Sequence, residues 1–248
     1  MIAVVSPAKT LDYETPIPSM TPTRPVFVDE AADLARSASR MSARKLGELM
    51  HISPALAKLN VDRFRGFEDQ PERPAIHAFA GDVYLGFEVA SLDEDAIAFA
   101  QDHVRILSGL YGLLRPLDAI RPYRLEMGTR WAPGRAKTLY AFWGDRIAGA
   151  LAEVDDPVVI NLASREYWGA VDGRLPAGFR VIEIDFREQG PKGLRFNSFA
   201  AKRARGMMAR YLCEHRLADP EALKGFDSDG YAFDADGSEG DRWRFIRS

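Results

Sequence analysis

The segment VVINLASREYWGAVDGRLPAGFRVIEIDF, residues 158–186, contains the two clearest β-strand patterns of the chain. Val158–Leu162 is a short apolar run typical of a buried strand, and Arg180–Phe186 is a second run rich in Val and Ile. Polar residues, among them Ser164 and Glu166, follow directly where the first strand ends. Strands of this kind, set among helical patterns, indicate a mixed α/β protein.

Strand and helix patterns alternate over the rest of the chain without a break in composition. Met1–Ser6 and Ala75–Ala80 predict short strands, and two alternating runs near the C-terminus, 231–234 and 242–246, predict a β-hairpin. The proline-rich residues 14–25 are expected to form an extended surface loop. Apolar residues at helical spacing predict helices over residues 29–40, 42–50, 54–64, 92–107, 137–154 and 196–217. We therefore predict one mixed α/β domain.

Composition places the chain among ordinary globular proteins. It has 248 residues, of which 46% are hydrophobic and 28% charged. No apolar run approaches the roughly 20 residues that span a bilayer, so we expect no membrane contact. The opening MIAVVSPAKT lacks the basic region of a signal peptide, and the single Cys213 excludes an intrachain disulfide. These features predict a cytoplasmic protein.

Charge is unevenly distributed although the net charge is only −3. Residues 192–216 hold seven Lys or Arg against one acid, and residues 101–146 hold eight against four. Residues 219–241 reverse the sign, with eight acids against one lysine. Such segregation fits a face that binds a polyanion, and solvated helix faces produce it as well.

The stretch Ser108–Arg130, SGLYGLLRPLDAIRPYRLEMGTR, combines arginines with glycine, proline and tyrosine. Because a guanidinium offers a rigid fork of donors, this stretch is a candidate surface for phosphate or carboxylate. The alternative is a structural turn whose arginines pair with Asp118 and Glu126. The candidate phosphate ligands here are Arg115, Arg121 and Arg124.

Residues 42–64 predict two short helices around a tight turn, Met50-His-Ile-Ser53, and resemble a helix-hairpin-helix motif. Such a motif binds DNA without reading its sequence, because backbone amides of the turn and of the next helix point at a phosphate. Ser53 can cap the second helix, whereas His51 replaces the usual glycine and is expected to weaken the contact. The alternative is an αα-hairpin packed on the core. The candidate contacts are Arg44, Lys45, His51, Ile52, Ser53 and Lys58.

Three other segments carry polar residues suited to a site. Lys9 follows the first strand, where no glycine-rich phosphate loop surrounds it, and either offers one phosphate contact or is simply solvated. Ser164 lacks the Gly-x-Ser-x-Gly elbow of hydrolases, so we interpret it as a helix cap. The long helix 196–217, with Ser198 as its expected cap, displays a basic face that either binds an anion or is simply solvated. Its candidates are Lys202, Arg203 and Arg205.

Metal and cofactor chemistry has little support in the sequence. The histidines His51, His77, His103 and His215 are scattered, and none stands at ligand spacing from another or from Cys213. The Asp-x-Asp-Gly strings near residues 227 and 234 fail the EF-hand pattern. We expect no metal and no cofactor, and we expect Cys213 to be a buried apolar residue.

Strings along the whole chain, in order, resemble the YaaA family of bacterial peroxide-stress proteins. They are Ser6-Pro-Ala-Lys-Thr-Leu-Asp12, Gly81-Asp-Val-Tyr84, Leu107-Ser-Gly-Leu-Tyr-Gly-Leu-Leu-Arg-Pro-Leu-Asp118, Pro122-Tyr-Arg-Leu-Glu-Met-Gly128, Phe142-Trp-Gly-Asp145, Asn161-Leu-Ala-Ser164, Ala201-Lys-Arg-Ala-Arg-Gly206 and Gly225-Phe.

The resemblance implies a single YaaA-like domain over residues 1–248, with a central mixed sheet, flanking helices, a positively charged cleft and a helix-hairpin-helix element. It also implies binding of double-stranded or branched DNA and an association with lowering intracellular free iron during hydrogen peroxide stress. It attaches no catalytic residue. The alternative function is an enzyme acting on a nucleotide or another phosphorylated small molecule, motivated by the polar strand ends 6–10 and 161–166 and by Glu126 among arginines.

Overall fold

The computed structural model describes residues 1–154, 156–191 and 193–248. The strands are β1 (Ile2–Val5), β2 (Thr10–Leu11), β3 (Arg73–Pro74), β4 (Phe79–Ala80), β5 (Val104–Ser108), β6 (Gly112–Leu114), β7 (Ala119–Ile120), β8 (Val158–Leu162), β9 (Arg180–Gly190), β10 (Gly193–Arg195), β11 (Tyr231–Glu239) and β12 (Arg242–Arg247). The α-helices are α1 (Val28–Ser39), α2 (Ala43–Met50), α3 (Pro54–Arg65), α4 (Ala75–Ala78), α5 (Asp82–Phe87), α6 (Glu94–His103), α7 (Leu139–Trp143), α8 (Arg146–Leu151), α9 (Arg165–Trp168) and α10 (Ser198–Glu214).

One large mixed sheet organises the molecule. Its strand order is β11-β12-β9-β8-β1-β5-β6, and β10 extends β9 as a further antiparallel strand. The five strands from β12 to β5 run parallel, whereas β11 and β6 close the two sides by antiparallel pairing. The carboxyl ends of β1, β5 and β8 therefore lie side by side along one edge, where ligand loops of open α/β sheets are found.

The centre of the sheet is buried on both faces. Every residue of β1 is buried, and so are four of the five residues of β8. Such strands read as continuous apolar runs rather than as alternating ones, because parallel strands are covered by helices on both sides. The helix α10 packs against β1, β8 and β9, and it also packs closely on α5.

The mixed α/β class is confirmed, as are the strands β1, β8 and β9 and the C-terminal hairpin β11–β12. The predicted strand Ala75–Ala80 is wrong: residues 75–78 form α4, framed by the short strands β3 and β4. The backbone amides of Ala75 and Ile76 donate to the carbonyls of Asp118 and Pro116, both at 2.9 Å. These tertiary hydrogen bonds favour a helical turn in a run whose alternation suggested a strand.

Two predicted helices are shorter than expected. The helix expected over residues 92–107 ends at His103, because Val104–Ser108 pairs with β1 and becomes an inner strand of the sheet. The helix expected over 137–154 is two helices, interrupted at Gly144, whose backbone has φ of 51°. A short apolar run fits a buried strand or a buried helix equally well, and only tertiary pairing decides.

Candidate functional site

The loops that follow β1 and β8 are joined by two serines. The amide of Ser164 donates to Oγ of Ser6 at 2.8 Å, and the Ser6 hydroxyl donates to Oγ of Ser164 at 3.3 Å. Ser164 occupies the N-cap position of α9, but its side chain makes no capping hydrogen bond. Ser164 therefore stands at the cap position that the sequence predicted, but its hydroxyl links two strand ends instead of capping the helix.

Two buried tyrosines make hydrogen bonds at the carboxyl ends of β1 and β5. Tyr84 donates to the carbonyl of Ser6 at 3.2 Å, and Ser108 at the end of β5 lies 2.6 Å from the hydroxyl of Tyr123. Burial raises the pKa of both phenols well above its usual range. Both hydroxyls therefore stay protonated at neutral pH and remain hydrogen-bond donors.

A cleft of about 250 Å³ opens at this edge. Its walls come from the β1 loop, the start of α5, the β8–α9 connection and one face of α10. The charged residues that line it are the cations Lys9, Lys202 and Arg205 and the acids Asp82 and Glu166. We call this cavity the cleft.

The position of α10 beside the cleft depends on two glycines. A Cβ atom added to Gly206 would overlap the carbonyl oxygen of Val83, and one added to Gly86 would overlap the carbonyl oxygen of Arg203. Because neither residue has a Cβ, α5 and α10 cross with their backbones in contact. This close crossing brings the basic face of α10 next to Asp82.

Arg205 is mostly buried and has no acidic partner at ion-pairing distance among the described residues. Its Nε atom is buried and lacks a hydrogen-bond partner. Burial lowers the pKa of this guanidinium, and the more distant acids Asp185 and Glu183 act in the opposite direction. A buried guanidinium nitrogen without an acceptor leaves strong donor capacity unused.

Glu126 and Glu166 fix the rim on the side of the β1 loop. Glu126 accepts from Lys9 through Oε2 at 2.8 Å and from Arg124 through Oε1 at 3.0 Å. Glu166 accepts from the amide of Gly128 through Oε1 at 2.9 Å. Both carboxylates therefore tie the segment after β7 to the sheet edge, and Oε2 of Glu166 has no hydrogen-bond partner among the described residues.

The α2–α3 hairpin has the geometry of a tight helical turn. His51 ends α2 in the left-handed conformation, with φ of 52° and ψ of 48°, and the amide of Ile52 donates to the carbonyl of Gly47 at 3.1 Å. Ser53 caps α3 by accepting from the amide of Leu56 at 3.3 Å, and Pro54 follows as the first helical residue. The exposed first turn of α3 thus faces solvent with a capped end.

The three predicted phosphate-binding cations of the hairpin are exposed. Arg44 pairs with Glu48 at 2.9 Å and Lys58 pairs with Asp62 at 2.7 Å, each one helical turn apart. Lys45 has no acidic partner at ion-pairing distance among the described residues. Exposed pairs of this kind contribute little to stability, so all three cations stay available to a phosphate.

Comparison with known proteins gives a consistent result. The family model described as peroxide stress protein YaaA matches residues 1–237. The chain belongs to this family. A UPF0246 protein of Rhizorhabdus wittichii is 62% identical to the chain over 253 residues, with 100% of both chains covered. A UPF0246 protein of Jannaschia sp. is 50% identical, covering 100% of this chain and 97% of its own, and one of Ralstonia nicotianae is 48% identical, covering 100% and 99%.

Membership of the YaaA family confirms the resemblance read from the sequence, and it supports a role in the response to peroxide stress. Within the described parts of the chain, no helix is both long and apolar enough to cross a bilayer. In residues 1–154, 156–191 and 193–248, no three His, Cys, Asp or Glu side chains are grouped as a metal site.

In this YaaA-family protein, the predicted phosphate ligands fall into separate places. Lys9, Lys202 and Arg205 meet in the cleft, and Arg203 lines a neighbouring cavity of about 960 Å³. The hairpin residues form a group of their own, and none of them lines either cavity. The predicted residues therefore do not form one continuous surface, and two groups of them, in the cleft and on the hairpin, remain as candidate sites.

Three of the four arginines of Ser108–Arg130 are engaged in ion pairs. Arg115 pairs with Asp102 at 2.8 Å, and Arg121 pairs with Glu72 at 2.9 Å. Arg124 pairs with Glu126 as described above. The pattern that suggested an anion-binding surface corresponds in these three positions to internal ion pairs. Their acidic partners were only partly foreseen, because Asp102 and Glu72 lie outside the stretch.

Several contributors to the cleft were missed from the sequence. Asp82 was not among the predicted site residues, yet it begins α5 and lines the cleft. Tyr167, which lines the same cavity, carried no recognisable signal. The position of Ser164 and Glu166 after a buried strand was the one useful indication. The cap of α10 is Asn197 rather than Ser198, since the Asn197 side chain accepts from the amides of Phe199 and Ala200.

Proposed function

We propose that the protein binds duplex or branched DNA without sequence specificity in the response to hydrogen peroxide, with the α2–α3 hairpin as its main contact. The observation that carries this proposal is the exposed, capped start of α3 beside exposed cations. In the first turn of a helix the amide groups have no intrahelical acceptor, so the Ala55 amide is available to a phosphate oxygen.

Two backbone amides near the turn already donate hydrogen bonds within the protein. The Ile52 amide already donates to Gly47, and the Leu56 amide already donates to Ser53. We therefore assign the phosphate contact to the amide of the exposed Ala55, supported by the helix dipole, rather than to the turn itself. Lys45, Arg44 and Lys58 add charge that does not depend on the base sequence.

The first experiment measures binding of the full chain to two 20-base-pair duplexes of unrelated sequence by fluorescence anisotropy. We expect similar dissociation constants for the two duplexes and a steep loss of affinity between about 50 and 200 mM salt, because phosphate contacts release counterions. Binding that ignores salt, or that is absent at low salt, would refute the proposal.

The second experiment separates the hairpin from the rest of the surface. Ala55→Glu places a carboxylate in the first turn of α3, where it stabilises the helix but repels a phosphate. We expect the affinity for the duplex to fall about 10- to 100-fold, the size expected for losing a charge-assisted hydrogen bond. The stability of the variant should not fall. The matched control Ala218→Glu changes an exposed alanine after α10 and should bind as the wild type does. Equal affinities in the two variants would leave the hairpin as a structural element only.

The proposal includes the association with limiting free iron that the family resemblance implies, as an indirect effect rather than direct chelation. Titration of the purified protein with Fe²⁺ in competition with a chromogenic chelator tests that route. We expect the chelator to retain the iron at equal concentrations. Stoichiometric withdrawal of iron by the protein would contradict the indirect route while leaving the DNA measurements untouched.

A further inference from the structure

The cleft contains a cation, Arg205, that has no acid at ion-pairing distance in the described part of the chain. Arg205 is largely withdrawn from solvent, its Nε has no acceptor, and it faces a cavity of about 250 Å³. Withdrawing a guanidinium from water without an acceptor costs free energy, so a buried arginine is normally paired. We propose that the cleft binds a small phosphate monoester whose remaining part carries hydroxyl groups, with Arg205 as the anchoring cation. This site is separate from the hairpin and does not depend on DNA binding.

A second cation stands on the same helix. Lys202 lines the cleft three residues before Arg205, so both side chains lie on one face of α10. Lys202 makes no ion pair with a described acid, and its Nζ lies 5.7 Å from the ring of Phe199. Lys9 is available only in part, because Glu126 already holds it. Two cations on one helix face match the two or three oxygens of a terminal phosphate.

The opposite side of the cleft carries acceptors rather than cations. Glu166 has one oxygen without a described partner, and Asp82 lines the cavity from the start of α5. Ser6 and Ser164 add hydroxyl groups at the strand ends. Carboxylates would repel a second phosphate, but they accept hydrogen bonds from the hydroxyl groups of a sugar or another polyol. This division of charge favours a sugar phosphate over a free polyanion.

The size of the cavity agrees with this class. At about 250 Å³ the cleft is near the lower end of cavities that hold small molecules, which run from roughly 300 to 1,000 Å³. A duplex could contact only its rim, whereas a pentose phosphate fits inside. Closure of the site by the Ser6–Ser164 hydrogen bonds and the α5–α10 crossing keeps the lining groups in place.

The test uses the full chain with ribose 5-phosphate, ribose and inorganic phosphate as probes, followed by calorimetry and thermal unfolding. We expect ribose 5-phosphate to bind more tightly than either other probe and to raise Tm by about 5 to 10 °C at about 100 times Kd. Affinity for ribose equal to that for ribose 5-phosphate would overturn the assignment of the cations. Inorganic phosphate binding as tightly as ribose 5-phosphate would overturn the assignment of the hydroxyl side.

Three substitutions locate the site. Arg205→Met keeps most of the length of the side chain and removes its charge. It should weaken the binding of ribose 5-phosphate about 10- to 100-fold. Lys202→Met changes an exposed position where folding is not at risk, and it should weaken the binding of ribose 5-phosphate several-fold. Arg203→Met removes the same charge from the adjacent residue, which lines the neighbouring cavity, and should leave affinity unchanged. If Arg203→Met and Lys202→Met weaken binding equally, the attraction comes from the general charge of α10 and the proposal fails. Ala55→Glu should not affect this ligand, which keeps the outcome independent of the DNA proposal.

Discussion

The α2–α3 hairpin and the cleft both collect basic residues, but they present those charges in different ways. The three hairpin cations predicted to hold phosphate, Arg44, Lys45 and Lys58, are all exposed, and two of them pair with an acid one helical turn away. In the cleft Arg205 is only partly exposed, and its buried Nε has no described hydrogen-bond partner. An exposed charge stays hydrated, so it costs little free energy and attracts a ligand over a distance. A charge removed from water requires a specific acceptor. The hairpin therefore suits a polymer and the cleft suits a small ligand.

The two regions also differ in how tightly the chain is packed behind them. The cleft depends on the backbone contact of α5 and α10, so a single methyl group at Gly206 should disrupt it. We expect Gly206→Ala to lower the free energy of unfolding by about 2 to 4 kcal/mol, because the added atom meets backbone rather than a movable side chain. Urea unfolding measures this loss, and the folded variant should bind DNA normally but lose the cleft ligand.

Gly149→Ala is the matched control for that substitution. Gly149 also lies within a helix, but a Cβ there meets no atom within 4 Å. Alanine should raise the free energy of unfolding by about 0.5 to 1 kcal/mol, because it favours the helix. Similar effects at the two glycines would show that the α5–α10 crossing adjusts easily and does not fix the cleft.

Part of the pH dependence of stability should arise from the buried side chain of His77. His77 lines the cavity beside the cleft, and burial, followed by the charge of Arg73, lowers its pKa. The folded protein therefore keeps His77 neutral, whereas the unfolded chain takes up a proton below about pH 6.5. The stability contributed by His77 is present above that pH and is lost as the pH falls below it.

Denaturation midpoints between pH 5 and 7.5 test this assignment. We expect His77→Gln to flatten the decline in stability below about pH 6.5, by up to 1.4 kcal/mol per pH unit for one proton. The control His215→Gln alters an exposed histidine at the end of α10 and should keep the wild-type slope. A decline that persists unchanged in His77→Gln would assign the pH effect to another group.

The sequence predicted the hairpin better than it predicted the cleft. The bounds of α2 and α3, the cap at Ser53 and the turn at His51 are all local, so helix periodicity and capping chemistry determine them. The cleft is assembled from segments distant in the chain. Ser6 and Ser164 are separated by 158 residues, and nothing local to Gly206 indicates that it meets Val83.

The charges show the same contrast. Eight Lys or Arg residues between 101 and 146 suggested a binding surface, but the acids that neutralise Arg115 and Arg121 come from other segments. Arg205 carried no more signal than its neighbours, because the lack of a partner is a property of the tertiary structure. A count of charges thus predicts where cations are abundant, and only the fold shows which of them remain unpaired.

A smaller effect separates the cations of the hairpin from one another. Lys45 has no described acidic partner, whereas Arg44 is partly neutralised by Glu48 at 2.9 Å. We expect Lys45→Ala to lower the slope of log affinity against log salt by about one, the value for one lost phosphate contact. Arg44→Ala should lower it by less, because removing Arg44 also frees Glu48. Anisotropy titrations at four salt concentrations measure both slopes, and a larger change in Arg44→Ala would contradict this ranking.

The smallest expected effect concerns the turn itself. The sequence suggested that His51, in place of glycine, weakens the hairpin, but His51 already adopts the left-handed conformation that the turn requires. His51→Gly relieves a conformational cost of about 1 kcal/mol and adds chain entropy of similar size to the unfolded state. We therefore expect stability within about 0.5 kcal/mol of the wild type and duplex affinity within about twofold. Thermal unfolding and anisotropy check these values. A tenfold gain in affinity would show that the His51 side chain obstructs the phosphate, and the hairpin contact would then lie at the turn rather than at Ala55.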